Sequence, residues 1–224
     1  MTSQRGLSLI STLVGFVLAT IAVIAMLYAY RGVVLNATSS ATNGRASAQI
    51  ASGLLTAEEL MQQAGWGIGP SLNPPGGRPN TDLVVVAQAT LNGSNLSGSA
   101  QTIGTANATG NALIWDYAWD GTLSGGGSMQ CAALVITAGG LQQLGPVSCS
   151  NAGSQWNTLN WGAPIPVIQS GVLPASAAFS VPPNGQLCFP FGGGPSPSPS
   201  AAQVQISGIG SSSPPVCLLN IPQM

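Results

Sequence analysis

The feature that most constrains this chain is an uncharged apolar run from Leu7 to Tyr30, directly preceded by Arg5 and Gly6. As an α-helix rising about 1.5 Å per residue, the run would extend roughly 36 Å, more than the ~30 Å hydrocarbon core of a bilayer. A secretory signal has a shorter apolar core, of about 7–15 residues, followed by a small-residue cleavage site. The run is too long for that class, and we expect a membrane-spanning helix over residues 7–30.

The junction at the start of the apolar run has a specific pattern, Gly6 followed by Leu7-Ser8-Leu9-Ile10. It resembles the prepilin leader of type IV pilins and type II secretion pseudopilins. The resemblance implies that residues 1–6 are a leader, that a prepilin peptidase cuts after Gly6, and that Leu7 becomes the methylated amino terminus. It also implies that the apolar helix forms a filament core, with contacts through Leu9, Ile10, Ser11, Leu13, Val14 and Phe16.

The chain departs from the family pattern at Ser11, where the family has a glutamate. In the family that carboxylate pairs with the amino terminus of a neighbouring subunit, and a lone charge buried in an apolar core is costly. Serine cannot neutralise an amine. Two interpretations stay open: a minor subunit at the filament tip, where one partner is absent, or a filament that works in acid.

Helical character continues beyond the membrane, which makes residues 31–64 an amphipathic second half of the same helix. An apolar stripe at spacings of three or four residues is formed by Ala46, Ile50, Leu54, Ala57 and Met61, widened by Leu55 and Leu60. Two glycines around Trp66, followed by Pro70, end the helix. This leucine-rich, acid-containing end, which runs into Ala64-Gly65-Trp66-Gly67, is similar to the end of the first helix in PilW-type minor pilins.

The remaining residues, 65–224, form short β-type runs separated by Gly, Asn, Ser and Pro. They predict an α+β fold in which the long helix packs against an antiparallel β-rich head. Two stretches, Asn92–Asn111 and Gly192–Ser200, are predicted to be loops. The predicted strands are Asp82–Ala89, Ala112–Trp119, Gln130–Thr137, Leu141–Val147, Ala177–Val181, Gln186–Phe191, Gln203–Ile209 and Val216–Ile221.

All four cysteines lie in the carboxy-terminal half of the chain. An even number in an exported domain indicates disulfides, and four cysteines allow three connectivities. We expect Cys131–Cys149 and Cys188–Cys217, since each bond then joins neighbouring segments without crossing. A zinc site is the alternative, but the sequence has no Cys-x-x-Cys spacing and no histidine to support it.

Charged residues are scarce: four arginines, five acids, no lysine and no histidine. A basic patch for nucleic acid is therefore absent, and so are the usual groups for proton transfer and serine activation. Asp116 and Asp120 would share one face of a strand, which allows a paired-carboxylate hydrolase or a calcium site. We expect two solvated residues instead, and likewise predict core packing for the tryptophans rather than an exposed binding cluster.

Glu58 and Glu59 are expected on the solvated side of the helix, with pairing to Arg31 or Arg45 of a neighbouring chain as the alternative. Taken together, the sequence favours a structural protein without enzymatic activity, metal or cofactor: a PilW-like minor pilin of a type IV pilus. The resemblance implies as partners the major and minor pilins, the prepilin peptidase and the assembly platform. It places the chain in the inner membrane, head outside the cytoplasm, before assembly and in the extracellular filament afterwards. The alternatives are a type II secretion pseudopilin and a membrane-anchored adhesin or binding module.

Overall fold

The computed structural model describes residues 9–68, 77–118, 128–183, 201–209 and 215–222. One long helix, α1 (Leu9–Gln62), is followed by strands that all pair antiparallel, so the predicted α+β class is confirmed. The chain divides into two compact units, residues 1–48 and 49–224. The first unit contains helix α1 up to Ala48, and the second contains the rest of α1 and the strands.

The described strands of the second unit form two sheets. The larger has the strand order β2-β1-β4-β5-β6-β7 and the smaller has the order β10-β9-β8-β3. The elements after α1 are β1 (Leu83–Asn92), β2 (Asn95–Gln101), β3 (Ala108–Gly110), β4 (Ala112–Ala118), β5 (Met129–Thr137), β6 (Gly140–Ser148), α2 (Ala152–Gln155), β7 (Ile165–Ile168), β8 (Ala178–Val181), β9 (Ala201–Ser207) and β10 (Val216–Pro222).

An apolar core joins the two sheets and the end of α1. Trp115 of β4, Phe179 of β8 and Leu218 of β10 are fully buried in it. Ala57 and Met61 of α1 belong to the same core, with Ile50, Leu54 and Leu60 packed at its margin. The predicted apolar stripe of the helix is therefore correct over residues 50–61. Leu55 is the exception, because its side chain is 68% exposed rather than part of the stripe.

The opposite face of the larger sheet is covered as well. Side chains such as Ile114 and Val135 pack there against Trp156 and Trp161, which lie in the segment after β6. Because both of its faces are covered, every residue of β4 is buried. The segment is fastened at its start by a disulfide between Cys131 and Cys149, the pairing that the sequence predicts. Cys217 is also disulfide-bonded, whereas its predicted partner Cys188 lies outside the described residues.

The longer strands with β-branched or aromatic residues were predicted correctly, while the polar β2 and the short β3 and β7 were missed. The predicted loop Asn92–Asn111 was wrong, because it contains β2 and β3. Strand β2 has the polar sequence NLSGSAQ and lies at the edge of the sheet, so its side chains need no apolar alternation. It follows β1 through a two-residue turn in which Gly93 has φ +63°. Strand β7 was also missed, and the predicted strand Gln186–Phe191 lies outside the described residues.

The end of α1 is built into the larger sheet. Gly65 and Gly67 have φ +74° and +68°, the left-handed conformation that commonly follows the last turn of a helix. Strand β4 extends past the start of β1, and along that part of β4 this turn takes the place of a neighbouring strand. The amide of Gly65 donates to the carbonyl of Asp116, and the amide of Ala118 donates to the carbonyl of Trp66, at 2.9 and 2.7 Å. The predicted helix end at about residue 64 therefore agrees with the structure.

Candidate functional site

The largest exposed apolar area among the described residues is the first part of α1. Ile10 and Phe16 expose 74% and 73% of their surface, and the exposure of large apolar side chains continues as far as Leu35. We call the residues from Leu9 to Leu35 the apolar helix surface. Within the described part of the chain, α1 is the one helix long and apolar enough to cross a membrane.

The predicted filament-core residues all belong to this surface. They lie on α1 and are exposed: Leu9, Ile10, Ser11, Leu13, Val14 and Phe16. The predicted cleavage site, Gly6, and the predicted methylated residue, Leu7, lie outside the described residues. What the structure adds is that these core residues share one exposed helical segment with the rest of the apolar run.

The threonine hydroxyl groups of α1 donate hydrogen bonds to backbone carbonyls of the same helix. Thr12 donates to the carbonyl of Leu9 at 2.9 Å, and Thr20 donates to the carbonyl of Val17 at 2.8 Å. Beyond the apolar run, Thr38, Ser39 and Thr42 make the same kind of bond, three or four residues back. Because an unpaired donor is costly in an apolar medium, these bonds suit a helix surrounded by lipid or by other helices.

Glycines on this part of α1 lie in open space. A Cβ added to Gly15, Gly32 or Gly44 would meet no atom within 4 Å. Further along the same helix, a Cβ at Gly53 would overlap the side chain of Ile168. The close approach to Ile168 explains a helix-weakening glycine at Gly53, but no contact in the described chain explains the other three. Small residues on a helix surface allow a second helix to approach closely.

A second cluster of interest is buried in the head. The sequence prediction that Asp116 is solvated was wrong, because its side chain is fully buried on β4. Asp82, just before β1, is also buried, at 3% exposure. The other member of the predicted pair, Asp120, lies outside the described residues. Asp116 occurs within the run Leu113-Ile114-Trp115-Asp116-Tyr117, and a near-continuous apolar run is the pattern of a strand covered on both faces. That signal could have placed the carboxylate inside.

One of the two carboxylate oxygens of Asp116 has a hydrogen-bond partner among the described residues, and the other has none. Its Oδ2 accepts from the amide of Ala152 at 2.7 Å, at the start of α2. Its Oδ1 has no hydrogen-bond partner among the residues that the structure describes. Burial, with a smaller contribution from the charge of Asp82, raises the pKa of Asp116 to about 7. An unpartnered buried oxygen favours the protonated acid over the carboxylate.

Asp82 interacts with the turn that precedes β1. Its Oδ2 accepts from the amide of Arg78 at 2.6 Å and lies 3.9 Å from the Nε atom of that arginine. Burial raises the pKa of Asp82, although the hydrogen bond and the charge of Arg78 oppose the shift. The side chain of Arg78 is 72% exposed, so this ion pair contributes little stability.

Metal ligation and the packing of the tryptophans can both be assessed for the described residues. No group of three or more His, Cys, Asp or Glu side chains that could hold a metal occurs among the residues that the structure describes. The predicted core packing of the tryptophans holds for Trp115, Trp156 and Trp161, with the indole of Trp161 donating to the carbonyl of Trp156. Trp66 is instead 46% exposed, and Trp119 lies outside the described residues.

Comparisons with known proteins give no match to this chain among family models, curated proteins or solved structures. Of the two candidate regions, the apolar helix surface is the larger and agrees with the residues that the sequence singles out. An apolar helix that could cross a membrane, attached to a β-rich head, is what the structure itself establishes.

Proposed function

We propose that this chain is a structural subunit of a type IV pilus, a PilW-like minor pilin. Its prepilin peptidase cuts after Gly6 and methylates Leu7, and the chain waits in the inner membrane with its head outside the cytoplasm. During assembly the apolar helix surface leaves the lipid and packs among the helices of other pilins. Because apolar contact with lipid is exchanged for apolar contact with protein, the transfer is energetically tolerable.

The observation that carries this proposal is the character of α1 along its length. The apolar helix surface is exposed, its threonines are satisfied internally, and its glycines lie in open space. A simple membrane anchor needs about 20 residues, yet α1 continues to Gln62. The Gly6-Leu7-Ser8-Leu9-Ile10 junction points in the same direction through its resemblance to a prepilin leader.

The head supports a structural role more than a catalytic one. Its buried carboxylates, Asp82 and Asp116, are closed off from solvent and contact backbone groups of the fold. The sequence offers no histidine or lysine to act with them. The major and other minor pilins and the assembly platform are the partners of this proposal.

The test is mass spectrometry of the mature chain, combined with its location. We expect a methylated Leu7 at the amino terminus and the chain in filaments sheared from cells. A Gly6→Val variant should keep residues 1–6 and stay in the membrane, whereas the matched leader variant Ser3→Val should be processed normally. An intact Met1 terminus, with the chain confined to membrane vesicles, would reject the proposal in favour of a tethered binding module.

A further inference from the structure

The two described sheets of the head have four edges, and three of these edges carry features that discourage pairing with a further strand. Strand β7 has four residues, one of which is Pro166, and strand β3 has three residues. Strand β10 has a register shift and ends at Pro222. Because proline lacks an amide donor and short or irregular strands offer few pairing groups, these three edges are protected.

Strand β2, at the fourth edge, lacks these protections. It is seven residues long, and its sequence NLSGSAQ contains neither proline nor a charged residue. It pairs with β1 on one side, and no strand of the described chain pairs with its other side. The register shift of this hairpin comes from an extra residue on β1, between Ala87 and Thr90, so β2 itself stays regular. An edge of this kind presents a row of backbone donors and acceptors about 23 Å long.

The side chains of β2 fix which face of the strand is turned outward. Leu96 is 1% exposed and belongs to the same apolar cluster as Trp156 and Trp161. On the opposite face, Ser97 is exposed and its hydroxyl lies 2.8 Å from that of Thr90 on β1. The strand is therefore held in a defined orientation, and an added strand would meet a defined pattern of side chains.

That pattern is chemically symmetric about Gly98. Reading outward from this glycine in either direction, β2 has a serine, then an apolar residue, then a side-chain amide. Two antiparallel copies centred on Gly98 would therefore place each residue opposite one of its own chemical type, a pairing that favours cross-strand contact. The facing residues would be Ser97 with Ser99, Leu96 with Ala100 and Asn95 with Gln101.

The charge distribution also fits a second copy. The whole stretch from Leu83 to Trp115 contains no charged residue, so two copies of the hairpin meet without like-charge repulsion. The same stretch offers no charge by which a charged partner of another kind would be selected. A twofold pair uses one surface on both copies, which requires a surface that is complementary to itself. The symmetric sequence of β2 meets that requirement.

We infer that two copies of this chain pair through β2, antiparallel and centred on Gly98, so that the larger sheet of one head continues into that of the other. This inference goes beyond the proposed function and does not depend on it. A twofold axis relates the two copies, whereas parallel subunits along one polar filament have no such axis between them. The pair therefore joins copies that are not neighbours in one filament.

Cysteine cross-linking of the full chain in mild detergent tests the pair and its register. Asn95→Cys and Gln101→Cys are prepared with different affinity tags and mixed under mild oxidation. The inferred register brings position 95 of one copy opposite position 101 of the other, within reach of a disulfide, but leaves the two positions 95 about 20 Å apart. We expect the mixture to give a linked dimer carrying both tags, in about tenfold or greater yield over either preparation alone.

Two features of the chain keep this measurement clean. The cysteines that the structure describes are all disulfide-bonded, so they do not compete for the new thiols. Gly98 is left unchanged, because a Cβ there would overlap the side chain of Val86 within the same head.

A charge variant shows whether the contact lies at the edge of β2. S97K/S99K, introduced into both preparations, should reduce the linked dimer to the yield of the unmixed preparations, since lysines on facing strands repel. Q169K/S170K adds the same charge at exposed positions after β7, at the other end of the sheet, and should leave the yield unchanged. Sedimentation of the chain without added cysteines should show a concentration-dependent dimer that S97K/S99K removes and Q169K/S170K retains.

The remaining outcomes overturn the inference. Equal yields from the mixture and from each preparation alone would show contact without register, and linkage of Asn95→Cys to itself in preference would show a parallel pair. A chain that stays monomeric at all concentrations would show that the partner of β2, if one exists, is not a second copy. The proposed function is decided separately, by the terminus of the mature chain and its presence in filaments.

Discussion

At the scale of single residues, Asp116 makes the stability of the head depend on pH. Its pKa of about 7 in the folded chain lies above the ordinary value of 3.8, because the buried carboxylate has lost its water and has one unpartnered oxygen among the described residues. The folded state therefore holds a proton that the unfolded chain releases as the pH rises above about 4. Stability falls as the pH rises from there and levels off above about 7, where both states are ionised.

The pH dependence gives the first prediction. The free energy of unfolding should decrease by up to about 4 kcal/mol between pH 4 and pH 7, at about 1.4 kcal/mol per pH unit. Asp116→Asn removes the titrating group and should be more stable than the native chain at neutral pH, with a flatter profile. Urea unfolding of the full chain in mild detergent, followed by tryptophan fluorescence, measures both. Glu59→Gln, at an exposed position, is the matched control, and an unchanged slope in Asp116→Asn would contradict the assignment.

Gly53 is the residue whose substitution the structure predicts most directly. A Cβ at this position would overlap the side chain of Ile168 and approach the carbonyl of Val167 to 3.2 Å. We expect Gly53→Ala to destabilise the head by about 1–3 kcal/mol through overpacking. Gly44→Ala, on the same helix but in open space, should be neutral or stabilising by up to about 1 kcal/mol. Thermal unfolding compares the two directly.

A double-mutant cycle isolates the reason for the Gly53 effect. Ile168→Ala alone opens a cavity and should itself cost stability. In the double variant, the shortened side chain at position 168 leaves space for the new methyl group at position 53. The double variant should therefore lose less stability than the sum of the losses of the two single variants. Strict additivity of the two substitutions would show that the glycine is retained for another reason.

At the scale of elements, the segment after β6 depends on its disulfide. Cys131 and Cys149 close a loop with a sequence separation of 18, and the segment that follows covers one face of the larger sheet through Trp156 and Trp161. The double variant C131A/C149S should lower the free energy of unfolding by about 3 kcal/mol in the chain-entropy model. Urea unfolding measures this, and limited proteolysis should show earlier cleavage between residues 149 and 161. Undiminished protection of that segment would mean that the tryptophans alone hold it.

How much of the elements could be predicted from sequence depends on how each one is stabilised. The apolar run that becomes the first part of α1, and β-branched strands such as Gln130–Thr137, are recognisable because burial or lipid selects their composition. Edge strand β2 and the short β3 carry no such pattern, since their hydrogen bonds to neighbouring strands are what define them. The partner of β3 is β8, which is distant in sequence, so no local signal reports that pairing. The partner of β2 is the adjacent β1, and the Asn92-Gly93 turn between them is the local signal that could have revealed it.

The candidate site, too, was predictable from the sequence in some features and not in others. The apolar helix surface follows from composition alone. The burial of Asp116 is indicated by the apolar run around it, but the hydrogen bond to its carboxylate is not, because that bond depends on the segment after β6 folding back across β4 and bringing the amide of Ala152 to it. Similarly, the requirement for Gly53 depends on the position of Ile168 in β7, a strand that the sequence pattern did not reveal.

At the scale of the whole molecule, apolar exposure is divided between the two units. The large exposed apolar side chains of the first unit extend from Leu9 to Leu35, whereas those described in the second unit are Leu55, Trp66, Ile165 and Leu219. We therefore expect the full chain to partition into a detergent phase and a fragment starting at Gln49 to stay folded in buffer. A fragment starting at Gly65 is the matched control: without Ala57 and Met61 it loses part of the core and should aggregate or expose tryptophan. If the Gln49 fragment also required detergent, the head would depend on the apolar helix surface for more than attachment.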